Sequence, residues 1–433
     1  MKAILCSIIF VNTFTSVRAN SDSVLAKIAL HEAEQTLTRV IVSDIFSPPV
    51  ASRIYTYANI AAYEAALPAY PGCHSLYQQI KNFPHIQYKK SINDVDFELA
   101  SLYAFFQTGK RLVFSEDMME DSLQVILSKY KHLPKNKFDA SLKWGQTVSD
   151  SIMAWSAKDQ YKETRSIKRY TLKKDEGKWI PTPPGYMSAI EPYWSKMRTL
   201  VLDSSSQFQP PSALSFSKEK GTPFYEEAYE VYKAGVSLTP LQRDIANFWD
   251  CNPFYLNISG HLNFATKKIS PGGHWISITG IVTKQTNTSF IKTLATYTMV
   301  SIAMYDVFIS CWDEKFRSNV IRPETYINAY IDESWKPLLQ TPPFPEYTSG
   351  HSVVSAAIAV VLTEILGDNI AFVDNSEYEY GLPDRTFNSF TEAANEAAIS
   401  RLYGGIHYRA AIENGKVQGE KIGRLVLKKI RLM

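Results

Sequence analysis

The sequence has few cysteines, almost balanced charge and, beyond its first residues, no apolar run long enough to cross a membrane. The four cysteines, Cys6, Cys73, Cys251 and Cys311, are too widely spaced to predict a disulfide framework or a thiolate metal centre. Lys and Arg number 46 against 43 Asp and Glu, so neither nucleic acid nor an anionic membrane is expected as a partner. The longest later apolar run, 353–366, is shorter than the roughly 20 residues that a bilayer requires, so no membrane span is predicted.

The chain is long and apolar enough to form a large core, with 45% hydrophobic residues. Its first residues combine Lys2, an apolar run and the small residue Ala19, which is typical of a secretory signal. We therefore predict a signal peptide at 1–19 and a periplasmic or secreted protein. Residues 20–433 are predicted to form a single α-helical domain, with an N-terminal half at 20–248 and a C-terminal half at 249–433.

Helical periodicity runs through most of the chain, whereas strict alternation never persists. We predict an all-α helical bundle, with helices at 22–42, 51–66, 94–106, 116–130, 137–157, 223–233, 240–249, 290–311, 353–366, 392–400 and 410–430. The 290–311 helix is apolar on nearly every side and should lie deep in the core, with Asp306 as its one acid. An insert near 164–216 contains six prolines, which predict a long surface excursion or a lid.

Two basic residues near the C-terminus have a spacing suited to anion binding. Lys315 and Arg322 are seven residues apart, about two helical turns, so on one helix both would project toward the same anion. Pro323 would end or kink that helix and leave Arg322 near a terminus. Further along, Arg401 offers a planar fork that grips oxygens in pairs, and His407 follows six residues later.

The triplet Ser349, Gly350 and His351 lies directly before the predicted 353–366 helix. Its position places the Ser349 hydroxyl and the Gly350 amide at a helix N-terminus, where free N–H groups and the helix dipole favour an anion. Glycine there lets an oxyanion approach the backbone without a Cβ in the way. Together with the basic residues, this triplet predicts an oxyanion-binding site in the C-terminal half.

The combination resembles the superfamily of type-2 phosphatidic acid phosphatases and vanadium-dependent haloperoxidases. Its three sequence blocks are present in order, as Lys315 with Arg322-Pro323, Ser349-Gly350-His351, and Ser400-Arg401 with His407. The resemblance is specific over roughly the last 120 residues. It implies that vanadate, or phosphate in its place, is bound by Lys315, Arg322, Ser349, Gly350 and Arg401. It also implies that His407 is attached to the central atom and that His351 is the acid-base histidine, so the predicted catalytic set is His351, His407 and Lys315.

Two positions depart from the superfamily pattern. Thr348 stands where proline usually precedes Ser-Gly-His, and Ala411 stands where an aspartate commonly follows the last histidine by four residues. A ligating or attacking imidazole needs its other nitrogen hydrogen-bonded, because that bond fixes its tautomer and basicity. A backbone carbonyl or another acid must then orient His407, and the acids considered are Glu413, Asp306 and Asp313.

The same residues could serve two reactions, and neighbouring aromatic residues favour one of them. Trp312 and Phe344 resemble the aromatic positions on the halide side of vanadium chloroperoxidases, and the absence of membrane spans sets the chain apart from lipid phosphatases. We therefore predict a vanadate-dependent haloperoxidase that uses hydrogen peroxide to oxidise a halide to a hypohalous species, for which a small organic molecule is a candidate acceptor. The alternatives are a metal-free acid phosphatase that cleaves phosphate esters through a phosphohistidine, and a non-catalytic oxyanion-binding scaffold.

Three further residues remain open at this stage. His261 and His274 either line the mouth of the pocket or cap helices. Cys251 and Cys311 can form a disulfide only if the fold brings them together.

Overall fold

The structure, a computed structural model, describes residues 2–89, 91–253, 255–259, 262–265 and 268–433, with side chains from 23 onward except at 256–267. It is an all-α fold, as predicted. The helices are α1 (Lys2–Ser43), α2 (Pro48–Ala66), α3 (Phe97–Lys110), α4 (Glu116–Lys129), α5 (Lys135–Ser156), α6 (Tyr161–Ser166), α7 (Pro223–Val236), α8 (Pro240–Phe248), α9 (Pro271–Gln285), α10 (Phe290–Ser318), α11 (Pro323–Tyr330), α12 (Gly350–Leu366), α13 (Phe390–Tyr403) and α14 (Arg409–Lys429). Two short antiparallel pairs join β1 (Leu256–Ser259) to β2 (Leu262–Ala265) and β3 (Phe372–Asp374) to β4 (Arg385–Phe387). His261 lies outside the described residues, as do the side chains of the predicted signal peptide, which stays a prediction.

Local capping explains where several helices begin. At α8 the Thr239 hydroxyl accepts from the Gln242 N–H while the Gln242 side chain accepts from the Thr239 N–H, and Pro240 occupies the first helical position. Helix α9, which the periodicity did not predict, begins in the same way, with the Ser270 hydroxyl accepting from the Gly273 N–H. Paired glycines in its first turn weaken the helical signal of the sequence, and the cap compensates for them.

Helix α10 forms the centre of the core, as predicted. It packs against α2, where the Thr56 hydroxyl donates to the Ser301 carbonyl at 2.8 Å and the Asn59 amide donates to the Ser301 hydroxyl at 3.2 Å. Among the described residues α10 alone is long and apolar enough to cross a membrane, and its most apolar stretch is fully buried inside the protein. Burial of that kind is typical of a core helix.

Much of the proline-rich segment is anchored to the core. Trp179 and Trp194 within it are fully buried. The backbone N–H of Trp179 donates to the Asn319 carbonyl at 3.0 Å, just beyond the end of α10. The Asp306 carboxylate of α10 accepts the backbone N–H groups of three consecutive residues at 2.7–2.8 Å: Leu200, Val201 and Leu202. Prolines remove regular structure from this segment, but the buried indoles and the Asp306 carboxylate fix its path.

Close packing of α14 against α12 fixes the helix that begins at Gly350. A Cβ atom at Gly419 would lie 2.1 Å from the Val353 carbonyl oxygen, and one at Gly423 would lie 2.6 Å from that of Ala357. Only glycine permits this approach, because any side chain would collide with the α12 backbone. Backbone contact along α12 therefore holds the N-terminus of this helix in place.

Lys315 and Arg322 do not share a helix, contrary to the prediction. Helix α10 ends at Ser318, because Asn319 adopts the left-handed conformation with φ of 52°, which asparagine tolerates better than most residues. Arg322 is instead the N-cap of α11, and Pro323 begins that helix rather than ending the previous one. The two side chains reach the same site from the end of one helix and the start of the next.

Candidate active site

His407 lies between α13 and α14 and is oriented by a buried glutamate. Its Nδ1 lies 2.8 Å from Glu346 Oε1, and the same oxygen accepts the Tyr408 N–H at 3.0 Å. Both His407 and Glu346 are buried. With the Nδ1 hydrogen directed at the carboxylate, the second ring nitrogen, Nε2, is the one that carries a lone pair.

Burial keeps the imidazole of His407 neutral. It lowers the pKa of His407 well below its usual value, and the charges of Arg322 and Lys315 lower it further. The Nε2 atom lies 3.2 Å from Arg322 Nη1, which donates toward it. A neutral imidazole with a fixed tautomer is the form that can ligate a metal centre or attack an electrophile.

The orienting acid differs from the three that the sequence suggested. Asp306 is occupied by backbone N–H groups at the proline-rich segment, and Glu413 and Asp313 form ion pairs with side chains on their own helices. Glu346 takes the role expected of an aspartate at the Ala411 position. Sequence reasoning missed it because it precedes His407 by 61 residues and lies in an irregular loop.

Lys315 is fully buried and binds the loop before α12. Its ammonium group donates to the carbonyls of Pro345 at 3.1 Å, Glu346 at 3.0 Å and Thr348. Burial lowers the pKa of Lys315 to about 8. All three hydrogens of the ammonium group have acceptors in this loop, so Lys315 contributes positive charge to the site and holds the loop that carries Glu346.

Arg322 is fully buried and one of its donors has no partner. Its Nε donates to the Phe344 carbonyl at 2.9 Å and its Nη1 to the Ile406 carbonyl at 2.8 Å. Its Nη2 is buried without a hydrogen-bond acceptor. Burial lowers the pKa of this guanidinium to about 10, and the Glu346 charge opposes the shift. A buried cation with an unpaired N–H is costly unless an anion completes it.

Arg401 brings a third buried cation to the site from the last turn of α13. Its Nε donates to the Ser400 hydroxyl at 2.9 Å, and its Nη2 donates to the Trp249 carbonyl at 2.5 Å. Burial lowers the pKa of Arg401, while the charge of Asp250 opposes that shift. The guanidinium lines the same cavity as His351 and His407.

The Ser349-Gly350-His351 triplet forms the start of α12, as predicted. The Ser349 hydroxyl accepts the Ser352 N–H at 3.3 Å, which leaves its own hydrogen free to donate. A Cβ at Gly350 would meet nothing closer than the Trp312 ring at 3.9 Å, so the space beside this glycine is open. His351 Nε2 is buried without a partner, and burial followed by the Arg401 charge lowers the pKa of His351 well below its usual value.

Trp312 and Phe344 form an aromatic wall beside the cations. Their ring centroids are 5.0 Å apart, and the indole N–H donates to the Ile190 carbonyl at 3.2 Å. Lys315 Nζ and Arg322 Cζ each lie 5.1 Å from the Phe344 ring centroid, within cation–π range. The wall therefore presents apolar surface to the site, as the sequence suggested, and also packs against the buried charges.

A cavity of about 40 Å³ lies beside these groups, and Lys315, Arg322 and Ser349 are not among the residues that line it. The walls include His351, Arg401, His407, Trp312, Phe344, Gly350, Cys251 and Pro342. A volume of this kind holds roughly three water molecules, which suits a small oxyanion. The unpaired Arg322 Nη2, the open space at Gly350 and the unpartnered His351 Nε2 all fit such a ligand.

His274 neither lines this cavity nor caps a helix. It is fully buried in α9, with Nε2 at 2.8 Å from Asp374 Oδ2, and it stacks on Trp249 with ring centroids 4.4 Å apart. Cys251 and Cys311 do not pair, since both are free thiols. Cys251 instead contacts His274, with its sulfur 3.5 Å from Nδ1.

Comparison with known proteins agrees with this geometry. A solved structure of the first bacterial vanadium-dependent iodoperoxidase is 47% identical, with a TM-score of 0.89 over 94% of this chain and 97% of that one. Holo and apo structures of a bacterial vanadium-dependent chloroperoxidase are 16% and 15% identical, with TM-scores of 0.67 and 0.68 over 89% of this chain and 93% and 94% of theirs, which shows a shared fold. The VCPO second helical-bundle domain family matches residues 330–433. Curated proteins give no match.

A helical fold of this kind, with a neutral histidine among buried cations, is what the superfamily of vanadium-dependent haloperoxidases and type-2 phosphatidic acid phosphatases leads one to expect. The likeness to the iodoperoxidase assigns the chain to a family within that superfamily, because the sequence identity is 47% and the match covers nearly the whole of both chains. The chain belongs to the vanadium-dependent haloperoxidases. It is therefore an enzyme, as predicted.

Proposed function

We propose that the cavity binds vanadate at His407 and that the protein oxidises iodide with hydrogen peroxide to a hypohalous species. The observation that carries this proposal is the charge around His407. Lys315, Arg322 and Arg401 are buried there with Glu346, whose pKa burial raises to about 8 against the opposing charges of Arg322 and Lys315. Positive charge therefore exceeds negative charge among these buried groups, and an oxyanion would restore the balance.

The donors of the cavity suit the oxygens of such an anion. Arg322 Nη2 offers a buried hydrogen without an acceptor, and the Arg401 guanidinium lies on the cavity wall. At the start of α12 the Ser349 hydroxyl and the Gly350 N–H add donors reinforced by the helix dipole. His407 Nε2 supplies the lone pair. At present that lone pair faces Arg322 Nη1, and it could bind a ligand instead without a change in the tautomer of the ring.

His351 is placed to manage a proton. Its Nε2 faces no protein partner, and its lowered pKa keeps the ring neutral at neutral pH. A neutral imidazole at the cavity wall can accept a proton from hydrogen peroxide as peroxide enters and return it when a product leaves. Bound vanadate would supply a Lewis acid that activates peroxide for two-electron oxidation of the halide.

Iodide suits the aromatic wall of the cavity. The surface formed by Trp312 and Phe344 offers no hydrogen bond to a halide, since the indole N–H is engaged with Ile190. A large, polarizable halide loses less hydration energy at such a surface than a smaller one. The likeness to an iodoperoxidase at 47% identity supports the same substrate. Neither the phosphatase nor the scaffold alternative is favoured by any of these contacts.

The experiment measures peroxide-dependent oxidation of iodide, bromide and chloride before and after the purified protein is reconstituted with orthovanadate. We expect activity that depends on vanadate and is highest with iodide. Hydrolysis of para-nitrophenyl phosphate is measured in parallel, and hydrolysis without halide oxidation would refute the proposal in favour of a phosphatase. Vanadate binding without either activity would favour the scaffold. The variant His407→Ala removes the proposed vanadate ligand, and His85→Ala is its matched control. His85 is exposed, stacks on Tyr77 and is not among the residues that line the cavity.

We further propose that residues 1–19 direct export of the protein to the periplasm or medium. The support is the order of Lys2, an apolar run and Ala19 in the sequence. N-terminal sequencing of the mature protein from each cell fraction tests this, and a retained Met1 in the cytoplasmic fraction alone would contradict it.

A further inference from the structure

A second cluster of metal-ligating side chains lies behind the cavity wall. It consists of Cys251 after α8, His274 in the first turns of α9 and Glu377 after β3, and we name it the Cys–His–Glu cluster. All three residues are buried, and their ligand atoms lie within 4.8 Å of one another. The cluster is separate from the vanadate ligands proposed above, and it joins three segments that are distant in sequence.

Hydrogen bonding fixes the His274 ring in the orientation of a metal ligand. Its Nε2 lies 2.8 Å from Asp374 Oδ2, and the other oxygen of that carboxylate accepts the Ser376 N–H at 3.0 Å. Ligating histidines commonly donate their second ring N–H to a carboxylate in this way. The remaining nitrogen, Nδ1, is then directed at Cys251 and Glu377.

Without a metal, the cluster can be held together by a His274 ring that carries both protons, with Nε2–H directed at Asp374 and Nδ1–H directed at Cys251 and Glu377. Nδ1 faces Cys251 Sγ at 3.5 Å and Glu377 Oε1 at 3.2 Å, but it can serve only one of them at a time. Glu377 Oε1 is buried, and its one recorded contact among the described residues is the ion pair with His274 Nδ1. A buried carboxylate oxygen therefore points at the place where nitrogen and sulfur ligands converge.

The two distances from His274 Nδ1 to the other ligand atoms match those of a tetrahedral zinc site, and all three ligand atoms lie within 4.8 Å of one another. Zinc bonds of about 2.3 Å to sulfur and about 2.0–2.1 Å to nitrogen and oxygen place neighbouring ligands roughly 3.6 Å apart for N and S and roughly 3.3 Å apart for N and O. The corresponding distances here are 3.5 Å and 3.2 Å. Thiolate and imidazole ligands also disfavour calcium and magnesium, which prefer oxygen.

We infer that Cys251, His274 and Glu377 bind one zinc-like divalent metal ion, with Asp374 orienting His274 and water in the fourth position. Thiolate and carboxylate together neutralise the two charges of the ion, and any protons on Cys251 Sγ and His274 Nδ1 pass to solvent on binding. Cysteine spacing gave no sign of this site, because only one of its ligands is a cysteine.

The ion would stabilise one wall of the vanadate cavity. Cys251 lines that cavity, and Trp249, which stacks on His274, accepts a hydrogen bond from Arg401 through its carbonyl. A metal joining Cys251 to His274 and Glu377 would hold the 249–251 segment against α9 and the β3 loop. Its role is thus to position the cavity wall.

The test is cobalt binding to the full-length protein after chelator treatment and without vanadate. We expect one cobalt ion per chain, with the intense thiolate-to-cobalt absorption, and displacement of cobalt by zinc. Cys251→Ser should lose the thiolate band, and Glu377→Gln should weaken cobalt binding tenfold or more while keeping the side-chain shape. Cys73→Ser is the matched control, because Cys73 lies outside the cluster, and it should bind as the wild type does.

Two outcomes would overturn the inference: a wild-type protein without a thiolate band at saturating cobalt, or a band retained in Cys251→Ser. In either case the cluster is a hydrogen-bonded group of a protonated His274 between two carboxylates. Thermal melts guard against misfolded variants, since zinc should raise the Tm of the wild type and of Cys73→Ser but not that of Glu377→Gln. The proposed vanadate ligands include no thiolate, so the band reports on this cluster whether or not the haloperoxidase proposal holds.

Discussion

Replacement of Glu346 by alanine and by glutamine tests how His407 is oriented. Glu346 Oε1 alone accepts both the His407 Nδ1–H and the Tyr408 N–H. Glutamine can present a carbonyl oxygen at the same place, whereas alanine cannot. Both changes remove the same titratable carboxyl group from beside Arg322 and Lys315, so the difference between the two variants isolates the hydrogen bonds.

The expected size of that difference follows from the two contacts. Alanine leaves two buried N–H groups without an acceptor, each at a cost of about 1–3 kcal/mol in stability. Loss of a group that orients a ligating histidine typically weakens metal binding about 10–100-fold. We therefore expect Glu346→Ala to bind vanadate 10–100-fold more weakly than Glu346→Gln. The effect of losing the titratable carboxyl group appears separately as the difference between Glu346→Gln and the wild type.

Equilibrium dialysis against orthovanadate, with vanadium measured in the protein chamber, gives the dissociation constants without reference to activity. Circular dichroism melts establish that each variant is folded at the assay temperature. Equal affinities in the alanine and glutamine variants, both close to that of the wild type, would refute the reasoning, since they would show that His407 needs no acceptor at Nδ1. A glutamine variant as weak as alanine with both weaker than wild type would show that the carboxylate charge itself is required.

Other changes have equally definite outcomes. His407→Ala should abolish retention of vanadate through dialysis while the melting curve stays cooperative, and unchanged retention would show that another residue is the ligand. Lys315→Ala and Arg401→Ala should each weaken vanadate binding by about 1.5–3 kcal/mol, or roughly 10–150-fold, because each removes a buried charge. Isothermal titration calorimetry measures these affinities, and an affinity equal to that of the wild type would contradict the prediction. Because burial raises the pKa of Glu346 from 4.5 to about 8, the folded protein holds a proton there more tightly than the unfolded chain. Its contribution to the free energy of unfolding should be complete below pH 4.5 and decline as pH rises to about 8; denaturant titrations of Glu346→Gln should lack that decline.

The sequence predicted the parts of the site that lie on periodic elements or in short blocks. Helical spacing located α10 and α12, and the Ser-Gly-His triplet falls at the start of α12 because Ser349 caps it. The resemblance to the superfamily suggested the roles of the site residues. The spacing of Lys315 and Arg322 alone predicted that they share one helix, which is wrong. Asn319 interrupts the helix between them, and one residue in a left-handed conformation leaves little trace in a hydrophobic pattern.

What the sequence could not supply were contacts between distant segments. Glu346 meets His407 across 61 residues of chain, and neither propensity nor periodicity encodes that distance. The approach of α14 to α12 did leave a signal, since Gly415, Gly419 and Gly423 recur every fourth residue on one helical face. Glycines at such spacing within a helix indicate a neighbouring backbone, which the apolar pattern by itself does not.

The loop of residues 342–348 connects most of the site. Its carbonyls accept the three ammonium hydrogens of Lys315 and the Nε hydrogen of Arg322, its Phe344 ring packs against both cations, and its Glu346 carboxylate orients His407. These bonds form between protein groups and need no anion. The cations are therefore already in place when an oxyanion arrives, and little binding energy is lost in ordering them. For the same reason a change in this loop should alter the charge, the aromatic wall and the histidine together, whereas a change in Arg401, which does not contact the loop through the bonds above, should alter affinity alone.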